Sequence, residues 1–245
     1  MRFRHLYLLI SIVLMLVVLP VFESAGYQRI FLTLPIALVL LTALNAISRR
    51  RWPIVVGLAL AVPWLVLSGL RSVGGQPAFQ GISVVLATAF LLFATVWLLL
   101  HIMRSREITL EQLYGAMSVY LLTGLVWSGV YIIIEIVSPG SFTLAQHPLT
   151  ETGPVWSDLM YYSLVTLTTL GYGDIAPTSA LARSLSVLEA TTGVFFVSVL
   201  VARLVSLYTV QPGSGSATAT METDISKHSS STNVNTDKSN NPGKQ

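Results

Sequence analysis

The sequence predicts an all-α, polytopic membrane protein, with six transmembrane helices and a re-entrant helix followed by an irregular loop between the fifth and the sixth. Three observations carry that prediction. Hydrophobic residues make up 53% of the 245 positions and charged ones 10%, with a mean hydropathy of +0.71, far from the composition of a soluble domain. The apolar residues fall in runs of about 20, the length an α-helix needs to cross roughly 30 Å of hydrocarbon. A single polar, glycine-containing stretch, TLTTLGYGD at 166–174, interrupts the apolar sequence between the last two runs. The absence of cysteine excludes disulfides and thiolate metal sites. The net charge of +3 comes mainly from arginines near segment ends, so it informs topology and gives no reason to invoke nucleic acid.

The spanning segments are 6–22, 30–48, 53–70, 82–103, 113–137 and 181–209. Arg2 and Arg4 precede the first, Arg49, Arg50 and Arg51 follow the second, and Arg104 and Arg106 follow the fourth, all at one side; Arg29, Arg71 and Arg183 lie at the other. The positive-inside rule therefore puts both termini in the cytoplasm and the TLTTLGYGD loop outside. The first segment has a second reading as a cleaved signal, with Ser24 and Ala25 near the cut, but Phe22 and Glu23 suit the upstream positions poorly. From Gln211 onward the chain turns to Ser, Thr, Asn, Gly and Lys, so 211–245 is expected to be a disordered cytoplasmic tail. The domains expected are a four-helix membrane unit over 1–110, a second membrane unit over 111–210, and that tail.

Residues 154–177 read PVWSDLMYYSLVTLTTLGYGDIAP. From Trp156 to about Thr168 they suit a short helix, with Ser157 or Asp158 as its cap. Twelve or so residues are too few to span, so the helix enters and returns through irregular backbone, which membranes tolerate only along a water-filled path. Gly171 and Gly173 tolerate positive φ, which lets consecutive carbonyls turn toward one axis. Such a row of oxygens replaces water around a dehydrated cation, with the Thr169 hydroxyl at its inner end. Tyr172 then turns outward to brace against Tyr161, Tyr162 or Trp156.

Residues 156–177 resemble the pore loop of the tetrameric potassium channels, which carry a threonine, a branched aliphatic and Gly-Tyr-Gly-Asp; here these are Thr169, Leu170, Gly171, Tyr172, Gly173 and Asp174. Leucine at 170 is a variant of the commoner valine. The resemblance covers roughly 111–210, making this stretch the pore domain and the protein a potassium-selective channel of the plasma membrane. Ion-binding residues would be Thr169, Leu170, Gly171, Tyr172 and Gly173, supported by Thr166, Thr168, Asp174, Tyr161, Tyr162 and Glu189. One such loop cannot encircle an ion, so a homotetramer is implied. No cofactor is expected, potassium being the permeant ligand, and the membrane lipid is the other partner. A non-conducting sensor or regulatory subunit that keeps the pore fold is the alternative.

In the sixth segment Gly193 lies nineteen positions after Asp174, close to where the family has an inner-helix hinge; close helix packing is its other reading. Ala190, Val194, Val197 and Val201 form one helical stripe, the candidate cavity lining. Glu189 lies deep in an apolar helix. It either hydrogen-bonds Thr166, Thr168 or Ser163 behind the filter or faces an aqueous path. Arg183 either reaches the outer headgroups or pairs with Asp174 or Glu135. Residues 82–103 contain no arginine or lysine, so the charge ladder of a voltage sensor is absent. His101 and His147 have no companions at metal spacing, and no nucleophile–base arrangement suggests an enzyme.

Overall fold

The computed structural model describes residues 4–24, 36–43, 51–72, 77–104, 109–144, 147–149 and 155–209. The remainder of the expected second segment, the Ser24–Ala25 cleavage point beyond residue 24, and the 211–245 tail lie outside the described residues. The chain divides into two units, Met1–Ala202 and Arg203–Gln245.

The described structure is mostly helical: α1 (Arg4–Ser24), α2 (36–43), α3 (Arg51–Ser72), α4 (Pro77–Arg104), α5 (Leu110–Val137), α6 (Val155–Leu167) and α7 (Ala180–Thr209). Among the described residues three stretches are long and apolar enough to cross a membrane, Gly81–Arg104, Leu110–Val137 and Ala180–Arg203, and Arg4–Val18 and Pro53–Ser68 are shorter apolar helices. This is a membrane protein. Helix α5 starts three residues earlier than hydropathy alone suggests because Thr109 and Gln112 form a capping box: Gln112 N–H donates to Thr109 Oγ1 and Thr109 N–H to Gln112 Oε1.

Three short strands were not expected from the sequence: β1 (Phe142–Leu144), β2 (His147–Pro148) and β3 (Ile175–Pro177), in the order β2-β1-β3 and antiparallel throughout. Phe142 pairs with Pro177, Thr143 with Ala176 and Leu144 with Ile175, so the strand directly after Asp174 is fastened to the loop that leaves α5. Two further bonds reinforce the seam, Thr178 N–H to the Ser141 carbonyl (2.8 Å) and Thr178 Oγ1–H to the Gly140 carbonyl (2.6 Å).

Two apolar clusters hold the larger unit together. The first joins α1, α2, α3, α4 and α5 around Leu8, Ile12, Trp64, Phe90 and Leu122, with Met160 of α6 at its edge. The second gathers Tyr131 and Ile132 of α5, Phe142 of β1, Leu159 and Tyr162 of α6, Ile175 of β3 and Ala182 of α7. Its centre is an aromatic triad, Tyr131, Phe142 and Tyr162, with all three centroid distances at 5.3 Å and edge-to-face geometry, the arrangement aromatic quadrupoles favour. Helix α7 is the outlier. Only 17% of its most apolar window is buried, against 56% for α5.

Candidate functional site

Helix α6 begins at Val155, so Ser157 and Asp158 occupy its first turn and neither is its cap. A carboxylate is favourable there against the helix dipole, while partial burial holds the Asp158 carboxyl above its ordinary range. At the other end Thr168 closes the helix on itself, its Oγ1–H donating to the Leu164 carbonyl at 2.7 Å.

Beyond Thr168 the backbone does something unusual. Residues 169, 171 and 173 have φ of 60°, 55° and 78°, so every second residue is left-handed, and all peptides are trans. Two of the three are glycines, which accept such φ without a Cβ penalty. The N–H groups of Thr169, Leu170 and Gly171 fold back onto the last carbonyls of α6, to Thr166 at 2.9 Å and to Val165 at 2.9 and 3.4 Å. In a trans peptide the carbonyl points opposite to the following N–H. The carbonyls of Thr168, Thr169 and Leu170 therefore face away from α6. Residues 168–174 are all exposed in the single chain, and a lipid environment cannot satisfy such carbonyls.

The aromatic brace expected of Tyr172 falls to Tyr161: the rings stack with centroids 6.5 Å apart and planes 12° apart. Tyr161 Oη–H also donates to Asp174 Oδ2 at 2.9 Å, and the Ile175 N–H donates to Asp174 Oδ1 at 3.0 Å. Tyr162 points the other way, into the buried triad, with its hydroxyl 2.6 Å from Ser186 Oγ of α7. Arg183 donates through Nε to the Pro177 carbonyl at 3.2 Å, while the Glu135 carboxylate accepts the N–H groups of Gly140 and Phe142.

Among the α7 residues whose burial is described, Ala182, Ser186, Glu189 and Gly193 are buried, spaced four, three and four apart on one face. Glu189 is fully buried. Of the three partners the sequence offered it meets Ser163, through Oε1 at 2.5 Å, and its Oε2 accepts the Tyr131 hydroxyl at 2.6 Å. Gly193 lies against the Leu167 carbonyl, where a Cβ would have no room. Tyr120 donates to that same carbonyl at 3.2 Å and packs on Phe196. Val194, Val197 and Val201 of the candidate cavity stripe are about half exposed in the single chain, and Ala190 is partly buried. Sequence reasoning missed Tyr120, Tyr131 and Ser186. The signal available was chemical: a carboxyl deep in an apolar helix needs donors, and hydroxyls on α5 and α6 are the nearest supply.

The described residues thus place a row of outward carbonyls at the end of a short helix, between the membrane helices α5 and α7. Residues 119–210 match the family model described as Ion channel. Two curated relatives share the likeness: "Two-pore potassium channel 4" of Arabidopsis thaliana, 41% identical over 66 residues, and "Two pore potassium channel c" of Oryza sativa subsp. japonica, 41% identical over 68. These matches take in 27% and 28% of this chain, and 23% and 14% of the relatives, so the chain spans under a quarter of either. No solved structure matches it. The resemblance to the potassium-channel superfamily read from residues 156–177 therefore has independent support.

Proposed function

We propose that this chain is the subunit of a homotetrameric, potassium-selective channel of the plasma membrane, with six spanning segments, both termini cytoplasmic, and a re-entrant α6. The single observation that carries the reading is the alternation of positive φ at 169, 171 and 173, with the N–H groups turned back onto α6. Residues Thr169 to Gly173 line the ion path, their oxygens standing in for the hydration shell of potassium, and ions pass by mutual repulsion between adjacent sites. One chain supplies one row, so copies must close the ring. The thin burial of α7 and the exposure of 168–174 both support a further protein surface around this axis. Ala190, Val194, Val197 and Val201 line the inner cavity, and Gly193 is either a hinge or the close-packing point of α7 on the Leu167 carbonyl. Residues 1–110 form the periphery, 111–210 the pore domain, and 211–245 the cytoplasmic tail.

Purified protein in liposomes tests the reading directly. Rubidium uptake blocked by barium or tetraethylammonium, with potassium preferred over sodium under bi-ionic conditions, is the expected result. Assembled protein that carries no flux would instead favour a regulatory subunit.

The peripheral unit makes a further expectation specific. Each charge crossing the field contributes about 2.3 kcal/mol per 100 mV, and residues 82–103 of α4 carry no arginine or lysine. Open probability should therefore vary weakly with voltage in single-channel recordings. A steep rise with an effective charge of several units, carried by segments 1–110, would overturn this assignment.

A further inference from the structure

The hydrogen-bond chain through Glu189 contains more bonds than an ionised carboxylate can supply protons for. Ser163 Oγ lies 2.5 Å from Glu189 Oε1 and 2.6 Å from the Gly124 carbonyl of α5, and Glu189 Oε2 lies 2.6 Å from Tyr131 Oη. A serine hydroxyl has one hydrogen to donate, and a carbonyl has none. The contact with Gly124 O must use the serine proton, since nothing else in that pair carries one. The contact between Ser163 Oγ and Glu189 Oε1 then needs a second proton, and only the carboxyl can hold it. Tyr131 supplies the third, to Oε2. An ionised Glu189 would leave two oxygen lone pairs facing each other at a hydrogen-bonding distance, on a fully buried residue whose two oxygens meet hydroxyls and no cation.

We propose that Glu189 is a protonated carboxylic acid that acts as a positioning residue, joining α7 to α6 and α5 through a directed relay from Tyr131 to Glu189 to Ser163 to Gly124. The relay ties three helices behind the TLTTLGYGD segment. Ser163 sits one turn before Leu167, whose carbonyl meets Gly193 and Tyr120. Glycine at 124 permits the approach: a Cβ there would lie 2.7 Å from Leu164 Cδ2 of α6. Tyr162 of α6 is engaged with Ser186 of α7, so it does not compete for the carboxyl. The positioning role rests on the channel reading above, but the protonation state does not.

Infrared difference spectra of the full-length native protein against Glu189→Gln, both in lipid, test the protonation. The native protein should show the carbonyl stretch of a protonated carboxyl group, absent from the variant. Tyr131→Phe, which removes one oxygen atom, should move that band to higher frequency because Oε2 loses its donor. No such band in the native protein, or a band unmoved by both variants, overturns the proposal whether or not the protein conducts. Rubidium flux tests the positioning. Glutamine can donate to Ser163 and accept from Tyr131 as the neutral acid does, so Glu189→Gln should conduct within about twofold of native, whereas Ser163→Ala and Glu189→Val should fall about tenfold or more, as buried groups lose their partners. Native flux in Ser163→Ala and Tyr131→Phe alike would overturn the positioning role, and it remains measurable if Glu189→Val fails to assemble.

Discussion

Gly171→Ala is expected to abolish potassium flux while leaving the protein assembled. The φ of Gly171 is +55°, and no atom of the same chain lies within 4 Å of the Cβ that alanine would add, so within the chain the substitution acts on the backbone. The left-handed conformation costs an L-residue about 1–2 kcal/mol. Relaxing that strain means rotating the peptide units on either side of residue 171, and those units carry the carbonyls proposed to hold the ion. In the proposed ring of copies the displacement would recur in every subunit. The packing of α5, α6 and α7 is untouched, so oligomer size on native gels should match the unsubstituted protein. Normal rubidium flux with potassium still preferred over sodium would remove residues 169–173 from the ion path.

Gly193→Ala should act through the opposite cause. Its backbone conformation is ordinary helix, in which alanine is intrinsically better by about 1 kcal/mol. The obstacle is the Leu167 carbonyl, against which the new methyl would press, with Leu167 Cδ1 also only 3.3 Å from it. Backbone yields poorly, and this carbonyl is also held by Tyr120. Overpacking of this kind costs about 1–3 kcal/mol, enough to outweigh the propensity gain and to lift α7 from the end of α6. Thermal unfolding of the detergent-solubilised variant should come several degrees earlier, with a smaller assembled fraction. Should the variant assemble and melt as the native protein does, with only its open probability changed, Gly193 would serve as a hinge rather than a packing site.

The two glycines illustrate what a sequence can reveal about this protein. Spanning helices were legible because α4, α5 and α7 each run 28 residues or more and are apolar for most of that length. The positive φ at 171 and 173 was legible because glycine is the residue that tolerates it. The positive φ at Thr169 was not, since threonine gives no such sign, and it follows from the N–H groups being drawn back to α6. Strands of two and three residues are too short to show a period, so the sheet left no trace in the pattern. Tyr120 and Tyr131 find partners 47 and 58 residues away. Such pairs are products of helix packing, and nothing local encodes them. For Glu189 the need for a partner was visible and the choice was not: Thr168 spends its hydroxyl on its own helix, leaving Ser163 to face α7.

The seam between β1 and β3 also bears on the order of folding. It joins Leu144 to Ile175 within one chain and so encloses α6 and the TLTTLGYGD backbone in a closed loop. Closing a loop of about 30 residues costs on the order of 3 kcal/mol of chain entropy, and here it is met by strand pairing, by the Thr178 bonds and by the burial of Phe142 and Ile175. All of those contacts lie within one chain. Each newly synthesised chain can therefore fix both ends of the segment proposed to bind the ion by contacts of its own. If the chain assembles as proposed, assembly would then have only to bring together segments whose span is already set.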